Sequence, residues 1–178
     1  ALSRIVVLGC KVQFGGGLRT AADLRRAINL GVQRVVIGTA AVEEPALVAH
    51  AIQAYGPQRV AVSVDVRHGV VHTHGWQEGG GTTATELARQ CAAQGLRWLV
   101  YTDIARDGMR TGPDVAGAMR LARLSGLRVI AAGGVSSLQD VSRCHAAGLA
   151  GVVIGRALYE GQVDLLAALQ VGKVENAG

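Results

Sequence analysis

Residues 16–40 read GGLRTAADLRRAINLGVQRVVIGTA, and residues 133–157 read GGVSSLQDVSRCHAAGLAGVVIGRA. The two stretches align without a gap at a constant offset of 117 residues, and the opening glycine pair, one Asp, one Arg and the closing Val-Val-Ile-Gly coincide. Such a match indicates an internal repeat, so both stretches are predicted to form the same unit of glycine-rich turn, helix and β-branched strand.

The alternation of strand and helix continues along the rest of the chain. Short apolar runs predict six strands, at Lys11–Phe14, Arg34–Ile37, Val60–Val64, Trp98–Tyr101, Arg128–Ala131 and Gly151–Ile154. The stretches between them predict helices, at Ala21–Leu30, Pro45–Tyr55, Ala84–Gln94, Asp114–Leu124, Leu138–Ala147 and Val163–Leu169. Strands that alternate with helices in this way form a parallel sheet with right-handed crossovers.

Residues typical of helix ends stand at the boundaries of these stretches. Thr20 and Thr83 precede the first and third helices, where a side chain that caps the N-terminus is wanted. Glycines stand just past four helix ends, where a left-handed residue is favoured; they are Gly31, Gly95, Gly126 and Gly148.

Repeats offset by half a domain are expected of a (βα) barrel built from two similar halves. We therefore predict one α/β domain over residues 1–178, a parallel (βα) barrel of TIM type truncated to about six βα units. Six parallel strands do not close an eight-stranded barrel, so the first and last strands are expected to be edges. Ala1 begins in what reads as a helix, yet Ser3–Leu8 could pair as an extra strand; alternatively, two chains cover the edges as a homo-oligomer.

Each copy of the repeat has the features of an anion site. A glycine pair at a strand end lets the backbone approach an anion closely, and the following helix offers N–H groups and the positive end of its dipole. The next strand ends in Gly38-Thr39 or in Gly155-Arg156, which adds a hydroxyl or a cation. The sequence therefore predicts two phosphate sites on opposite sides of the barrel mouth. The alternative is that the glycines only permit tight turns.

Carboxylates follow the strand ends, where the active sites of (βα) barrels lie. Asp65 ends the third strand, Asp103 follows Thr102 at the end of the fourth, and Asp107 comes shortly after in an Arg-Asp-Gly turn. Carboxylates between two phosphates suit general acid–base catalysis. A function is favoured for Asp65, because a carboxylate at the end of an apolar strand is costly to bury. Asp103 could instead stabilise a loop, and Asp107 could belong to a plain turn.

A glycine-rich loop near the middle of the chain holds Trp76, which could stack on a flat ring of a substrate or pack on the barrel rim. His68, His72 and His74 lie close to it in sequence. Their spacing resembles no standard zinc site, and no set of Cys or carboxylate residues completes one. We therefore expect no metal.

The composition excludes several classes of protein. The net charge of +5 suits a phosphorylated substrate, but the basic residues are scattered and aromatics make up only 3%, which argues against nucleic acid. Apolar runs do not reach the roughly 18 residues of a membrane span, and nothing resembles a secretory signal. Three cysteines without a CxxC motif indicate buried, reduced thiols in a cytoplasmic protein.

A series of motifs resembles the histidine-biosynthesis phosphoribosyl isomerases, that is, ProFAR isomerase and the related phosphoribosyl isomerase A, which also serves tryptophan biosynthesis. The resemblance covers nearly the whole chain. It is carried by Val12–Arg19, Val36–Ala40, Val64–Arg67, Gly75–Gln77, Tyr101–Gly108, Ala132–Val135 and Ile154–Ala157.

The resemblance implies an Amadori rearrangement of an aminoaldose to an aminoketose, with no metal or organic cofactor. Asp107 matches the family's general acid, Asp65 and Thr102 match supporting active-site positions, and Trp76 matches a loop tryptophan that closes over the substrate. Two phosphate-binding sets complete the site: Gly16, Gly17, Gly38 and Thr39, with Arg19 in the same motif, and Gly133, Gly134, Gly155 and Arg156.

One departure from the family leaves two functions open. In the family a first strand, helix and strand precede the position of Ala1, and the first strand carries the general base. The chain is therefore either a phosphoribosyl isomerase or a catalytically inactive truncated barrel that retains phosphate binding and oligomerises. The related cyclase fits the motifs around Thr102 and Trp76 less well. His74 stands where dual-specificity relatives can carry Arg, which disfavours the tryptophan-pathway substrate.

Overall fold

The computed structural model of this chain describes residues 2–67, 70–73, 78–107, 109 and 111–173. Its strands are β1 (Gln13–Gly15), β2 (Arg34–Ile37), β3 (Val60–Arg67), β4 (Val70–Thr73), β5 (Glu78–Thr83), β6 (Trp98–Asp103), β7 (Arg128–Ala132) and β8 (Gly151–Val152). Its helices are α1 (Leu2–Val6), α2 (Ala21–Asn29), α3 (Ala40–Glu43), α4 (Pro45–Tyr55), α5 (Ala84–Ala93), α6 (Val115–Ser125), α7 (Leu138–Ala146), α8 (Arg156–Tyr159) and α9 (Leu165–Val171).

Six parallel strands form the sheet, in the spatial order β1-β2-β3-β6-β7-β8. They correspond to the six strands predicted from the sequence, and the curved parallel sheet has the form of part of a TIM-type barrel. Strands β1 and β8 are the two ends of this path. Within the described part of the chain, each of these two strands therefore pairs on one side only.

The larger core lies between the sheet and its helices. Alternate residues of the strands, such as Val62, Leu99 and Val129, pack there with the buried faces of the helices. The opposite face of the sheet, which we call the inner face, holds a smaller cluster formed by Val36, Ala61, Val100 and Ala132. Because side chains alternate along a strand, these two clusters assign each strand residue to one face.

The repeat predicted from the sequence appears in the backbone and in the helix caps. Gly16 and Gly17 have φ angles of 107° and 71°, and the matching Gly133 and Gly134 have 88° and 80°. Helices α2 and α7 both begin with a reciprocal capping box, in which the cap side chain and an Asp three residues later bind each other's backbone N–H.

The residues predicted to stand at the two ends of the helices are found there. Thr20 and Thr83 cap the N-termini of α2 and α5 with their side chains. Four glycines that follow helix ends have positive φ angles, as a left-handed C-terminal residue requires; they are Gly31, Gly95, Gly126 and Gly148.

The chain begins with helix α1, as its first residues suggest, so the alternative that Ser3–Leu8 pairs as an extra strand is wrong. Leu2 and Val6 are four residues apart, on one side of this helix, and both pack against the main core. Val7 and Leu8 follow the helix and are 85% and 74% exposed. The edge at β1 is therefore not covered by this segment.

The hairpin of β4 and β5 was not predicted. Strand β4 pairs antiparallel with β3, and β5 pairs antiparallel with β4. The hairpin pairs with the C-terminal end of β3, at residues 65–67. Three consecutive glycines, Gly79, Gly80 and Gly81, give β5 no alternation of apolar and polar side chains, and that alternation is the sequence signal for a strand.

The cysteine prediction is partly correct. Cys91 and Cys144 are buried, and burial raises the pKa of each thiol to about 11. Cys10 is exposed. In the parts of the chain that the structure describes, no helix is both long enough and apolar enough to cross a membrane.

Candidate functional site

A row of neighbouring residues crosses the sheet at the C-terminal ends of its strands. Asp65 on β3 pairs in register with Thr102 on β6, and Thr102 pairs with Ala132 on β7. Val64 and Val66 belong to the core on the helix side, so Asp65 between them is on the inner face. The sheet therefore places Asp65 and Thr102 side by side at the mouth, as predicted.

The larger mouth pocket has a volume of about 480 Å³ and lies at the ends of β7 and β8. Thr102 and Asp107 line it together with the whole second phosphate set, which the sequence places up to 54 residues away from them. Apolar side chains complete the wall. The pocket residues are Thr102, Asp107, Ala132, Gly133, Gly134, Val135, Val153, Gly155, Arg156 and Ala157.

A second pocket, of about 20 Å³, lies at the ends of β2 and β3. Gly38, Thr39 and Asp65 line it, with Ser63, Val71 and His72 among their neighbours. The other residues of the first phosphate set do not line this pocket. Gly16, Gly17 and Arg19 lie on the exposed turn after β1. The structure thus gathers part of the first phosphate set and all of the second.

The two glycine pairs differ in what surrounds them. A Cβ on Gly133 would lie 2.8 Å from the carbonyl oxygen of Asp103, and one on Gly134 would lie 2.5 Å from that of Gly112. Close backbone packing as well as the positive φ therefore requires glycine at these two positions. Beside Gly16 and Gly17 nothing lies within 4 Å of such an atom. Only the φ angle demands glycine there, and the space beside it is open.

The protein's own carboxylates occupy part of the helix N-termini that were expected to face phosphate. At α7, the N–H groups of Ser136 and Ser137 donate to Asp140 Oδ2 over 2.9 and 3.1 Å. At α2, the N–H groups of Arg19 and Thr20 donate to Asp23 Oδ2 in the same way. These N–H groups are used within the protein and are not open to an external anion.

Both capping carboxylates are held ionised. Hydrogen bonds from the Thr20 hydroxyl and from Arg26 lower the pKa of Asp23 to about 2. At Asp140, burial opposes ionisation, but hydrogen bonds from Ser136 and Arg143 outweigh it and lower the pKa of this carboxyl. The Asp-Arg pair in each copy of the repeat therefore stabilises a helix start.

The side chain of Asp103 has a role within its own loop. Its carboxylate accepts hydrogen bonds from the Ala105 N–H at 3.0 Å and from Arg106 Nε at 3.1 Å. Asp103 is next to Thr102 in sequence and therefore lies on the opposite, helix-facing side of the sheet. Of the two interpretations that the sequence allowed, the structure favours loop stabilisation.

Asp107 lies in the turn after β6 and is exposed at the pocket. Its N–H donates to the carbonyl oxygen of Asp103 at 3.1 Å, which fixes the turn while leaving the carboxylate at the mouth. Arg156 also lines the pocket, and its Nε donates to Glu160 Oε1 at 2.5 Å. A guanidinium has five N–H donors, so this bond leaves others for an anion.

A further cavity, of about 330 Å³, opens on the helix-facing side of the sheet beside Tyr101 and Asp114. The Tyr101 hydroxyl donates to Asp114 Oδ2 at 2.7 Å, and Asp114 Oδ1 accepts from the Gly117 N–H at the start of α6. Burial, together with this hydrogen bond, raises the pKa of Tyr101. The pair ties β6 to α6 and lies on the other side of the sheet from Asp65 and Thr102.

Trp76, His68 and His74 lie outside the described residues. Within the described residues, no group of three or more His, Cys, Asp or Glu side chains is arranged to hold a metal ion. Sequence reasoning did not assign Ser63 and His72 to the mouth. Ser63 could have been found from its spacing of two from Asp65, but His72 required the hairpin, for which the sequence has no clear signal.

Comparison with known proteins adds a family to this geometry. A family model described as "Histidine biosynthesis protein" matches residues 2–164. A protein of Anaeromyxobacter sp. (strain Fw109-5) is 49% identical over 164 residues, which cover 92% of this chain and 68% of that protein. A protein of Symbiobacterium thermophilum is 50% identical over 164 residues and is covered to 65%. Both are named 1-(5-phosphoribosyl)-5-((5-phosphoribosylamino)methylideneamino) imidazole-4-carboxamide isomerase, and the chain spans about two thirds of their length.

Proposed function

The chain belongs to the histidine biosynthesis protein family, and from that premise we propose that it is a phosphoribosyl isomerase of histidine biosynthesis. The reaction is the Amadori rearrangement of a ribonucleotide that carries two phosphates, from the aminoaldose to the aminoketose. The names of the relatives support this class of substrate. The proposed enzyme acts in the cytoplasm and takes no cofactor.

One observation carries the proposal: the 480 Å³ pocket holds Asp107 and Thr102 together with Gly133, Gly155 and Arg156. A phosphate bound by strand-end glycines and a guanidinium would place the adjoining ribose near the Asp107 carboxyl. The second phosphate would lie toward Gly38 and Thr39, across the row formed by Asp65 and Thr102.

The chemistry requires proton transfers that carboxyl groups can perform. An aminoaldose ring opens when its ring oxygen receives a proton, and the open chain rearranges when a general base takes the proton from C2 and a proton is added at C1. In this proposal Asp107 is the general acid that protonates the ring oxygen. Asp65 and Thr102 support and orient the ribose, since they lie on adjacent strands between the two pockets. We also propose that Trp76 closes over the substrate, as the match of its motif to the family implies.

The alternative function is an inactive barrel that still binds phosphate and oligomerises. The observation that favours it is the open sheet, because strands β1 and β8 each pair on one side only within the described residues. A catalytic mouth depends on rigid support from the whole sheet. The alternative keeps both phosphate pockets and removes only turnover.

Steady-state assays and phosphate binding together separate these functions. We expect the chain to convert the histidine-pathway substrate and to act weakly or not at all on phosphoribosylanthranilate. Isothermal titration with inorganic phosphate measures binding in the same preparation. Binding without turnover would support the inactive barrel, and the absence of both from a folded chain would overturn both functions.

A further inference from the structure

His72 is a mouth residue that no part of the proposed reaction uses. Strand β4 pairs antiparallel with β3, and His72 stands directly opposite Asp65. Side chains of directly opposed residues point to the same face of a sheet. His72 therefore lies on the inner face with Asp65, at the end of a row that continues through Thr102.

The imidazole has a buried nitrogen without a partner. His72 Nδ1 has less than 1 Å² of accessible surface and no hydrogen-bond partner. Buried polar atoms in folded proteins are almost always hydrogen-bonded, since leaving one unsatisfied costs its lost hydration. An orphaned, buried nitrogen on a residue that lines a pocket is therefore a reason to look for a ligand atom.

The pocket that His72 lines is small and has mostly polar side chains among its walls. It has a volume of about 20 Å³ and is lined by Gly38, Thr39, Ser63 and Asp65 as well as by His72. A volume of this size accommodates one oxygen-sized group. Gly38 and Thr39 are the strand-end residues of the first phosphate set, so the oxygen that enters beside them is expected to belong to a phosphate.

We propose that His72 is a phosphate-binding residue, whose Nδ1–H donates to an oxygen of the phosphate held at Gly38 and Thr39. The inference rests on the proposed function, because it concerns the same substrate. His72 stands opposite Asp65 in register and lines the same pocket as Gly38 and Thr39, and a nitrogen donor close to two anionic groups reduces their mutual repulsion. His72 would thus allow a carboxylate and a phosphate to share one pocket.

Substitutions distinguish an Nδ1 donor from a residue that only fills space. The amide nitrogen of Asn can take the place of Nδ1, whereas Leu fills the volume without a donor. We expect H72L to weaken the binding of inorganic phosphate about tenfold, the equivalent of one charge-assisted hydrogen bond. H72N should restore most of that loss. H50N on the exposed surface of α4 is the matched control and should bind like the unmodified chain.

A spectroscopic measurement locates the contact on the ring itself. Long-range ¹H–¹⁵N spectra of the histidine rings, recorded while inorganic phosphate is added, should show a saturable shift of the His72 Nδ1 signal and no shift at His50. Ribose without phosphate should leave both signals unchanged. A ribose-induced shift would overturn the phosphate assignment.

Failure of the inference is distinguishable from failure of the proposed function. If the unmodified chain binds phosphate and turns over substrate while H72L binds phosphate equally well, the role of His72 is overturned and the isomerase proposal stands. If the unmodified, folded chain binds neither phosphate nor substrate, both are overturned. Equal losses in H72L and H72N, with no ring shift, would assign His72 a packing role.

Discussion

The role of the Asp107 carboxyl group can be tested by a substitution that does not disturb the fold. The side chain is exposed in a turn that is held by backbone hydrogen bonds. Asp107→Asn should therefore leave stability unchanged and reduce kcat by about 10²–10⁴-fold, the usual value of a positioned general acid, with little effect on KM. E44Q, an exposed acid-to-amide change at the start of α4, is the control. A kcat within about fivefold of the unmodified chain would exclude Asp107 as the general acid.

Gly155 allows the second phosphate site to be tested by adding one methyl group. A Cβ added at Gly155 would meet nothing within 4 Å, so G155A introduces no steric clash. The methyl group would enter the 480 Å³ pocket where the phosphate is expected. Phosphate affinity measured by calorimetry should fall about tenfold, a loss of about 1.4 kcal/mol. The same change at Gly172, beyond α9, should have no effect; equal affinities in both variants would contradict the assignment.

Residue type alone could not separate Asp65 from Asp103, since both end an apolar strand. The two aspartates differ in the face of the sheet on which they lie: Asp65 is on the inner face and Asp103 is on the side of the helices. Because side chains alternate along a strand, the opposite orientations of Thr102 and Asp103 could have been predicted from the sequence. The role of His72 could not, because it depends on the register of a hairpin across from Asp65.

At the scale of elements, the repeat provides two versions of one helix start that differ in burial. The side chain of Asp140 at α7 is 4% exposed and that of Asp23 at α2 is 18% exposed, and each binds an Arg three residues later. D140N should lower the free energy of unfolding at pH 7 by about 1–3 kcal/mol, because charge-assisted hydrogen bonds in a buried site are lost. D23N should cost less, since water replaces the lost bonds more easily. Urea unfolding of both variants measures the difference.

The pH dependence of the same comparison has a definite sign. The pKa of Asp140 is lowered in the folded chain from its ordinary value of 3.8. Its contribution is therefore fully present above that value and is lost as the pH falls through the folded pKa. The stability difference between the unmodified chain and D140N should shrink below about pH 3.8. A difference that stays constant from pH 7 to pH 3 would show that the Asp140 charge contributes nothing.

The longer strands and helices were predictable because each carries one clear sequence pattern, such as an apolar run or a helix cap. Strand β2 holds a β-branched run and β7 an apolar run, and the capping box at Thr20 marks the start of α2. The short helices α3 and α8 were missed because four residues carry too little periodicity. Ser3–Leu8 has the β-branched content of a strand but the i, i+4 spacing of a helix, and packing of Leu2 and Val6 on the core decides for the helix.

At the scale of the whole molecule, the inner face and the two sheet ends determine what the chain exposes. The inner face has only a small apolar cluster, and at the N-terminal strand ends Trp98 lies between the guanidinium groups of Arg34 and Arg128, at 3.8 and 4.3 Å from its ring centre. The two mouth pockets lie at the opposite strand ends. This separation agrees with the general division of barrels into a supporting end and a catalytic end.

The sheet ends lead to the last prediction, that the 178-residue chain associates with itself. Next to β8, Val153 is 44% exposed, and Leu166 and Leu169 on α9 are 71% and 53% exposed. An edge strand beside apolar side chains pairs readily with another chain. Light scattering at micromolar concentration should therefore give a mass of at least twice 18.4 kDa.

A charge placed at this edge should prevent the association. V153K sets a lysine beside β8, and charged edge residues oppose strand pairing between chains. L124K is the matched control, because Leu124 is also 44% exposed but lies on helix α6 and not on a strand edge. We expect V153K to shift the mass toward that of a monomer and L124K to leave it unchanged. A monomeric unmodified chain would contradict the prediction, and equal masses for all three proteins above the monomer would place the contact away from β8.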